Sequence, residues 1–272
     1  MEKHPERLGT GTDPEVLGKS LIATVPKVQG CNHIHKLRPI ALLESTRKIW
    51  MRVVWKKVQS IILSKIGIFP TRFGFIPGKS TSDPITRLLG IIDSAIDLGH
   101  SLHIVFIDLR RAFDYVSRKS GLLTGMRRLG IPEDLANMII NIDLEGYTHV
   151  RSELWYEQQS QSQGFHAERG APQGGVESPG EFIFFLDILM TALEGTGVNI
   201  LDGGNRPTEI GQQAFADDIA LASSESVNIK KASEIVVAFC VLFGMEINFD
   251  KTTYVTINAE PVEGLGGTGP DG

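Results

Sequence analysis

One turn constrains this chain more than any other stretch. Glu209–Phe215 and Ile219–Ala222 are apolar-rich runs parted by the polar step Asp217-Asp218, and two such runs around a short polar step predict a hairpin. Taken alone, Asp-Asp is a common turn filler, because its short side-chain oxygens accept hydrogen bonds from nearby amides. A second acidic strand end shifts the weight. Leu-His-Ile-Val-Phe-Ile-Asp-Leu, residues 102–109, is a nearly continuous apolar run with Asp108 near its end, the pattern of a strand covered on both faces. A carboxylate there is costly unless it pairs with something or holds a cation. If both elements join one sheet, Asp108 and Asp217 converge, with Asp218 beside them. Clustered carboxylates repel, and a divalent cation relieves the repulsion. Hard oxygen donors suit Mg²⁺ or Mn²⁺, and two such ions can run an in-line displacement at phosphorus.

The formal net charge over 272 residues is −5, which argues against a surface that is basic all over, as many nucleic-acid binders have. The charge is uneven, however. Lys36, Arg38, Arg47, Lys48, Arg52, Lys56 and Lys57 stand against a single Glu44, which leaves room for a local basic face. Cys31 and Cys240 lack partner histidines at metal-ligand spacing and read as free thiols of a reducing compartment. The N-terminus carries no apolar signal core. Phe182–Leu193 is interrupted by Asp187 and too short to span a bilayer, so it reads as a buried core helix.

In chain order, residues 1–20 form a loose entry, in which Asp13-Pro14-Glu15 could start a short helix. Leu21–Lys27 and Leu37–Leu42 read as arms of a projecting hairpin around Gly30, with Lys27 and Arg38 on its two arms; a solvated surface loop explains the pattern as well. Residues 46–66 place Ile49, Val53, Val58 and Ile62 at helical spacing, with Trp50 and Trp55 as core and rim. Arg72–Thr81 is glycine-rich but lacks the ending of a phosphate-binding loop. Asp83-Pro84 opens a helix running to Gly99. Further helices are expected over 118–129 and 132–142, then a polar hairpin or loop over 146–168. Gly170–Gly175 reads as a turn ahead of the Ser178-Pro179 cap. A helix over 228–242 stops at Gly244, and a last strand covers Tyr254–Ile257.

These blocks, in this order, resemble the reverse transcriptase family, of the non-long-terminal-repeat retrotransposon and group II intron type, over roughly residues 20–258. The resemblance implies roles position by position. Asp108 is similar to the first catalytic aspartate, and Asp217 and Asp218 to the paired aspartates of the Phe-Ala-Asp-Asp block; with the Leu109 carbonyl they would hold two Mg²⁺ or Mn²⁺ ions. Phe113, preceded by Arg111 and Ala112 in the nucleotide site, resembles the aromatic gate that excludes a ribose 2′-hydroxyl, although core packing would also account for it. Lys27 and Arg38 are similar to fingers residues that grip the triphosphate. Gln173 and Gly174 match the block lining the nucleotide pocket, and Lys251 the lysine that protonates departing pyrophosphate. Arg72, Gly74, Phe75, Gly78 and Ser80 fall in a block that contacts template and primer. One departure stands out. Glu177-Ser178-Pro179-Gly180-Glu181-Phe182 occupies the place where family members read Leu-Ser-Pro-Leu-Leu-Phe, and its added carboxylates, Glu177 and Glu181, are expected near the template path.

The implied fold is α+β: a right-hand polymerase palm, an antiparallel sheet backed by helices, with a fingers subdomain and no thumb. The boundaries read 1–20 for the entry and 21–258 for the reverse transcriptase domain. Fingers take about 21–100 and the palm about 101–258, with a fingers contribution near 120–168. A disordered Gly-rich tail follows over 259–272. The implied activity is RNA-directed DNA polymerisation by a retroelement-derived enzyme, with RNA template, DNA primer and dNTPs as partners and no membrane. Thumb and endonuclease domains are expected to be missing from this chain, Leu265-Gly266 being a weak match to a primer-grip block. The expected compartment is intracellular, and nuclear for a eukaryotic retroelement. Two other readings stay open. One is an RNA-dependent RNA polymerase, against which Phe113 and Ala216-Asp217-Asp218 argue; the other is an inactive palm scaffold that binds nucleic acid.

Overall fold

In the computed structural model, which describes residues 17–27, 29, 37–63, 71–76, 78–152, 160–161, 163–196, 198–201 and 207–265, the apolar run at 102 forms a central strand. The elements in order are β1 (Ser20–Pro26), β2 (Leu37–Leu43), α1 (Ser45–Leu63), α2 (Ser82–Leu98), β3 (Leu102–Ile107), β4 (Leu109–Arg110) and α3 (Ala112–Tyr115). Next come α4 (Leu123–Arg128), α5 (Glu133–Leu144), β5 (Thr148–Ser152), β6 (Ser160–Gln161), α6 (Ser178–Ala192), β7 (Val198–Leu201) and β8 (Pro207–Ile210). The chain continues through β9 (Gln212–Phe215), β10 (Asp218–Ser223), α7 (Ser226–Phe243), β11 (Glu246–Ile247) and β12 (Thr253–Ile257).

Strand β3 lies inside a four-stranded sheet of order β12-β3-β10-β9, antiparallel throughout. Alternation along β3 sends its residues into two cores. Val105 and Ile107 join the large core, where Phe182, Phe184 and Phe185 of α6 and Val236 and Phe239 of α7 pack. Leu102 and Ile104 join a smaller one with Ile91 and Ala95 of α2 and with Ala222. Helices thus cover both faces, which is why β3 is apolar at nearly every position. Each of the three phenylalanines is fully buried, worth roughly 1.5–3 kcal/mol in transfer from water.

A second sheet, β2-β1-β5-β6, holds the expected hairpin arms. β1 pairs antiparallel with β2 and parallel with β5. The turn around Gly30, Cys31, Trp155 and Tyr156 lie outside the described residues, as do residues 1–16 and 266–272.

Several expected boundaries move. The helix from 118 begins as a π-turn, Arg118–Leu122, before α4. Residues 209–215 do not form one strand: β8 ends at Ile210 and pairs with β7, whereas β9 pairs with β10. The tail expected to be disordered from 259 is folded at least to Leu265. The Val262 N–H donates to the Tyr254 hydroxyl at 3.1 Å, and Val262 and Leu265 pack on the large core. Cys240 is a buried free cysteine whose thiol burial pushes up to about 11. No helix among the described residues is long and apolar enough to cross a membrane.

Candidate active site

The sheet register puts the acids together. Ile107 pairs with Ile219, so the next residues outward, Asp108 and Asp218, stand at one end of neighbouring strands. The hairpin turn sits one residue earlier than expected: Phe215 pairs with Asp218, leaving Ala216-Asp217 as the two-residue turn and Asp218 as the first residue of β10. Ala216 takes a left-handed φ of 56°, which suits the primed turns that match strand twist.

Asp108 is engaged from the side. Its carbonyl accepts from the Asn248 backbone N–H at 2.8 Å, and Oδ2 accepts from Asn248 Nδ2 at 2.8 Å. Lys251 Nζ lies 3.7 Å from Oδ1. Because Asp108 turns its carbonyl to β11, alternation turns the Leu109 carbonyl to the opposite edge, the side of Asp217. Asp218 is held above the usual carboxylate range by partial burial and then by the charges of Asp217 and Asp108, with Lys251 opposing. Among the described residues no three His, Cys, Asp or Glu gather tightly enough to hold a metal ion by themselves. Asp108 and Asp217, with Leu109, instead border one open cavity of about 1400 Å³.

The rest of that cavity comes from three other segments. Arg111, exposed and in a left-handed φ of 47°, precedes the single turn α3, in which Ala112 is buried. Phe113 stacks on Phe182 with centroids 4.6 Å apart and meets Phe75 edge-on at 6.3 Å. Packing and a cavity-lining position therefore coexist in Phe113. Gln173 donates from Nε2 to Asp114 Oδ1 at 2.9 Å, and its carbonyl accepts from the Ala41 N–H at 2.7 Å. Gly174 adopts φ 124°, and a Cβ there would stand 2.5 Å from the Ala41 carbonyl oxygen, so no other residue fits this close approach. Lys27 and Arg38 are exposed on the cavity rim. Burial lifts Asp114 above its ordinary value, with the Gln173 hydrogen bond and the charges of Arg111 and Lys27 opposing.

Other expected residues sit elsewhere. Arg72, expected at the template, is 3% exposed and pairs through Nη2 with Asp187 Oδ1 at 2.5 Å. Arg128 Nε takes the other oxygen at 2.8 Å, and burial pushes Arg72 down to about 10. The aspartate that interrupts α6 needs two guanidiniums, and Arg72 is one of them. Gly74 is buried beside the Ala216 turn; Phe75, Gly78 and Ser80 are exposed. The Ser80 N–H donates to Asp83 Oδ2 at 2.6 Å, at the start of α2.

The expected carboxylates on the template path are interior. Glu177 and Glu181 are each 1% exposed. Arg47, counted on a basic face by its sequence neighbours, is buried against them and donates to Glu177 Oε1 at 2.7 Å and Asp143 Oδ1 at 2.5 Å. Burial, reinforced by Asp143 and Glu177, drives Glu181 well above the carboxylate range. Asn248 and Asp114 were not singled out by motif reasoning. The Asn-x-x-Lys spacing before Lys251 was the available signal for Asn248, whereas nothing local marked Asp114.

The family model described as reverse transcriptase (RNA-dependent DNA polymerase) matches residues 25–268. A Retrovirus-related Pol polyprotein from type-1 retrotransposable element R2 of Popillia japonica is 27% identical over 236 residues, 86% of this chain and 32% of that protein. The corresponding polyprotein of type-2 element R2DM from Drosophila melanogaster is 26% identical over 259 residues, 93% of this chain and 23% of that protein. The chain thus spans a third or less of the length of these relatives. Among solved structures, apo telomerase from Candida tropicalis truncated from its C-terminal domain superposes with a TM-score of 0.65 at 12% identity, covering 90% of this chain and 51% of that one. That likeness speaks to fold alone: mixed helices and antiparallel sheets in a palm-and-fingers arrangement. With two thirds or more of its length matched by one family model, the chain belongs to the reverse transcriptase (RNA-dependent DNA polymerase) family.

Proposed function

We propose that this chain is the fingers and palm of an RNA-directed DNA polymerase, with fingers over about 21–100 and palm over about 101–258. The observation that carries the reading is the shared cavity. Asp108 and Asp217 open onto the same space as Lys27, Arg38, Phe113 and Gln173, so acids, cations and an aromatic ring face one ligand-sized volume.

The family works with divalent metal ions, and the donor set fits them. Two carboxylates and a backbone carbonyl are hard oxygen donors, and Asp218, raised by partial burial and then by the charges of Asp217 and Asp108, stands beside them. Asp108, Asp217 and the Leu109 carbonyl would hold Mg²⁺ or Mn²⁺, with Asp218 in support. When bound, such ions supply charge stabilisation at the phosphorus under attack.

The chain's own residues do the remaining work. Lys27 and Arg38 bind the triphosphate of a dNTP by charge-assisted hydrogen bonds. Phe113, backed by Phe182, sets a rigid floor beneath the sugar. The Gln173–Asp114 pair shapes the nucleotide pocket, and Lys251, 3.7 Å from Asp108 Oδ1, gives a proton to departing pyrophosphate. RNA template and DNA primer are the polymers this reading assigns to the chain. Action of this kind in a eukaryotic host would be nuclear.

The test is primer extension on an RNA template with dNTPs and Mg²⁺ or Mn²⁺, run beside Asp217→Asn. The expected result is metal-dependent extension that falls at least about a thousandfold in the variant. Equal extension by both proteins would overturn the reading.

A further inference from the structure

We propose that Arg47 and Arg118 form a buried bracket that positions the Gln173–Gly174 turn, which makes Arg47 and Glu177 positioning residues for the incoming nucleotide. The inference rests on the polymerase reading above.

The turn has little regular structure of its own, and its two ends are held by guanidiniums. Upstream, Arg118 donates from Nε to the Gly170 carbonyl at 2.7 Å and from Nη1 to the Ala167 carbonyl. Downstream, Arg47 holds Glu177, the residue at the N-cap of α6. The two arginines meet on one residue: Arg47 takes the Asp143 side chain, and Arg118 Nη1 donates to the Asp143 carbonyl at 3.1 Å. Between these anchors the Ala171 N–H donates to the Phe113 carbonyl at 2.8 Å, and the Gln173 carbonyl accepts from Ala41. Ser178 Oγ closes the turn by donating to the Pro172 carbonyl at 2.6 Å. Arg47 comes from α1 and Asp143 from α5, and Glu177 stands at the N-cap of α6, so three helices bracket the four-residue turn Pro172–Gly175, in which the Gly175 N–H donates to the Pro172 carbonyl at 2.9 Å.

The charges support this role. Burial, reinforced by Asp143 and Glu177, holds Glu181 well above the carboxylate range, and Arg47 pairs with the other two carboxylates, Asp143 and Glu177, inside the protein. A buried ion pair gives little net stability compared with apolar side chains of the same size. What it adds is direction, because a guanidinium accepts only certain geometries from a carboxylate.

Glu177→Leu cuts the tie to the turn but leaves Arg47 paired with Asp143. Glu177→Gln keeps an oxygen for Arg47 and serves as the conservative control. Two readouts are taken on the same preparations: amide hydrogen exchange over residues 170–177, which needs no activity, and steady-state primer extension. Glu177→Leu is expected to speed exchange in the turn roughly tenfold, as loss of one charged hydrogen bond would, and to raise the KM for dNTP by a similar factor at little cost in kcat. Glu177→Gln should restore both. Should Glu177→Leu fail to fold, Arg47→Lys keeps the charge, cannot reach both carboxylates, and should raise KM in the same way. Unchanged exchange overturns the bracket, and faster exchange with an unchanged KM overturns its role in positioning. A wild-type protein without extension sinks the polymerase reading alone, because exchange still decides whether Glu177 holds the turn.

Discussion

Asn248 grips Asp108 twice, once with its backbone N–H on the carbonyl and once with its side-chain amide on Oδ2, each at 2.8 Å. The first bond carries the pairing of β4 with β11 one residue further; the second aims the carboxylate. Asn248→Ala keeps the backbone bond and frees the side chain of Asp108. A hydrogen bond to a charged group is worth about 1.5–3 kcal/mol, so kcat for primer extension should fall roughly 10- to 100-fold. The dNTP KM should barely move, because Asn248 acts on Asp108, whereas the proposed grip on the triphosphate comes from Lys27 and Arg38. A raised KM with intact kcat would show that Asn248 serves binding instead.

Phe113 touches Phe182 on one side and the cavity on the other. On the proposed polymerase reading, Phe113→Val shortens the floor beneath the sugar while keeping an apolar contact with Phe182. Discrimination between dNTP and rNTP is a difference of two affinities, and removing a steric block raises only the rNTP arm. Competition between dGTP and GTP in primer extension should show discrimination falling about tenfold or more, with dGTP incorporation changed less. An unaltered ratio would leave Phe113 as core packing only.

Glu181 is buried, and its acidity is weakened by burial and by its carboxylate neighbours Asp143 and Glu177. A carboxyl raised in the folded state binds a proton that the unfolded chain releases in the ordinary glutamate range. Its contribution is therefore full below that range and is lost as pH rises toward the folded-state value, at about 1.4 kcal/mol per pH unit for one proton. Thermal melts from pH 5 to 8 should show wild-type stability declining relative to Glu181→Gln, whose neutral amide does not titrate. Parallel curves for the two proteins would mean that Glu181 is ionised in the native state.

Much of this was legible in sequence for a physical reason. The apolar run of β3, the Asp-Asp step and the proline in the first turn of α6 are local patterns that survive folding. The long-range partners left no such trace. Arg47 and Arg72 look like surface cations because their neighbours are basic or glycine-rich, yet each is buried against an acid more than a hundred residues away. Glu177 and Glu181 looked like template-facing charges because a carboxylate in sequence carries no sign of a buried guanidinium elsewhere. Motif reasoning named many of the residues that border the cavity, though not Asp114 or Asn248; it could not place the ion pairs that hold the cavity's walls.

Gly180 and Trp55 make a second long-range fit of this kind. A Cβ on Gly180 would stand 1.7 Å from Trp55 Cζ2, and the indole it would displace packs 5.5 Å from the Phe184 ring. Even Gly180→Ala must push the α1 and α6 helices apart or force the indole off its rotamer, which costs about 1–3 kcal/mol. Trp55→Leu alone leaves a void and costs a further 2 kcal/mol or so. The two sites share one volume, so the double variant should be more stable than the sum of the single losses by roughly 1 kcal/mol or more. Urea unfolding of the four proteins closes the cycle. Strict additivity would mean that helix α6 shifts away from α1 without strain, and that the indole does not require a glycine at position 180.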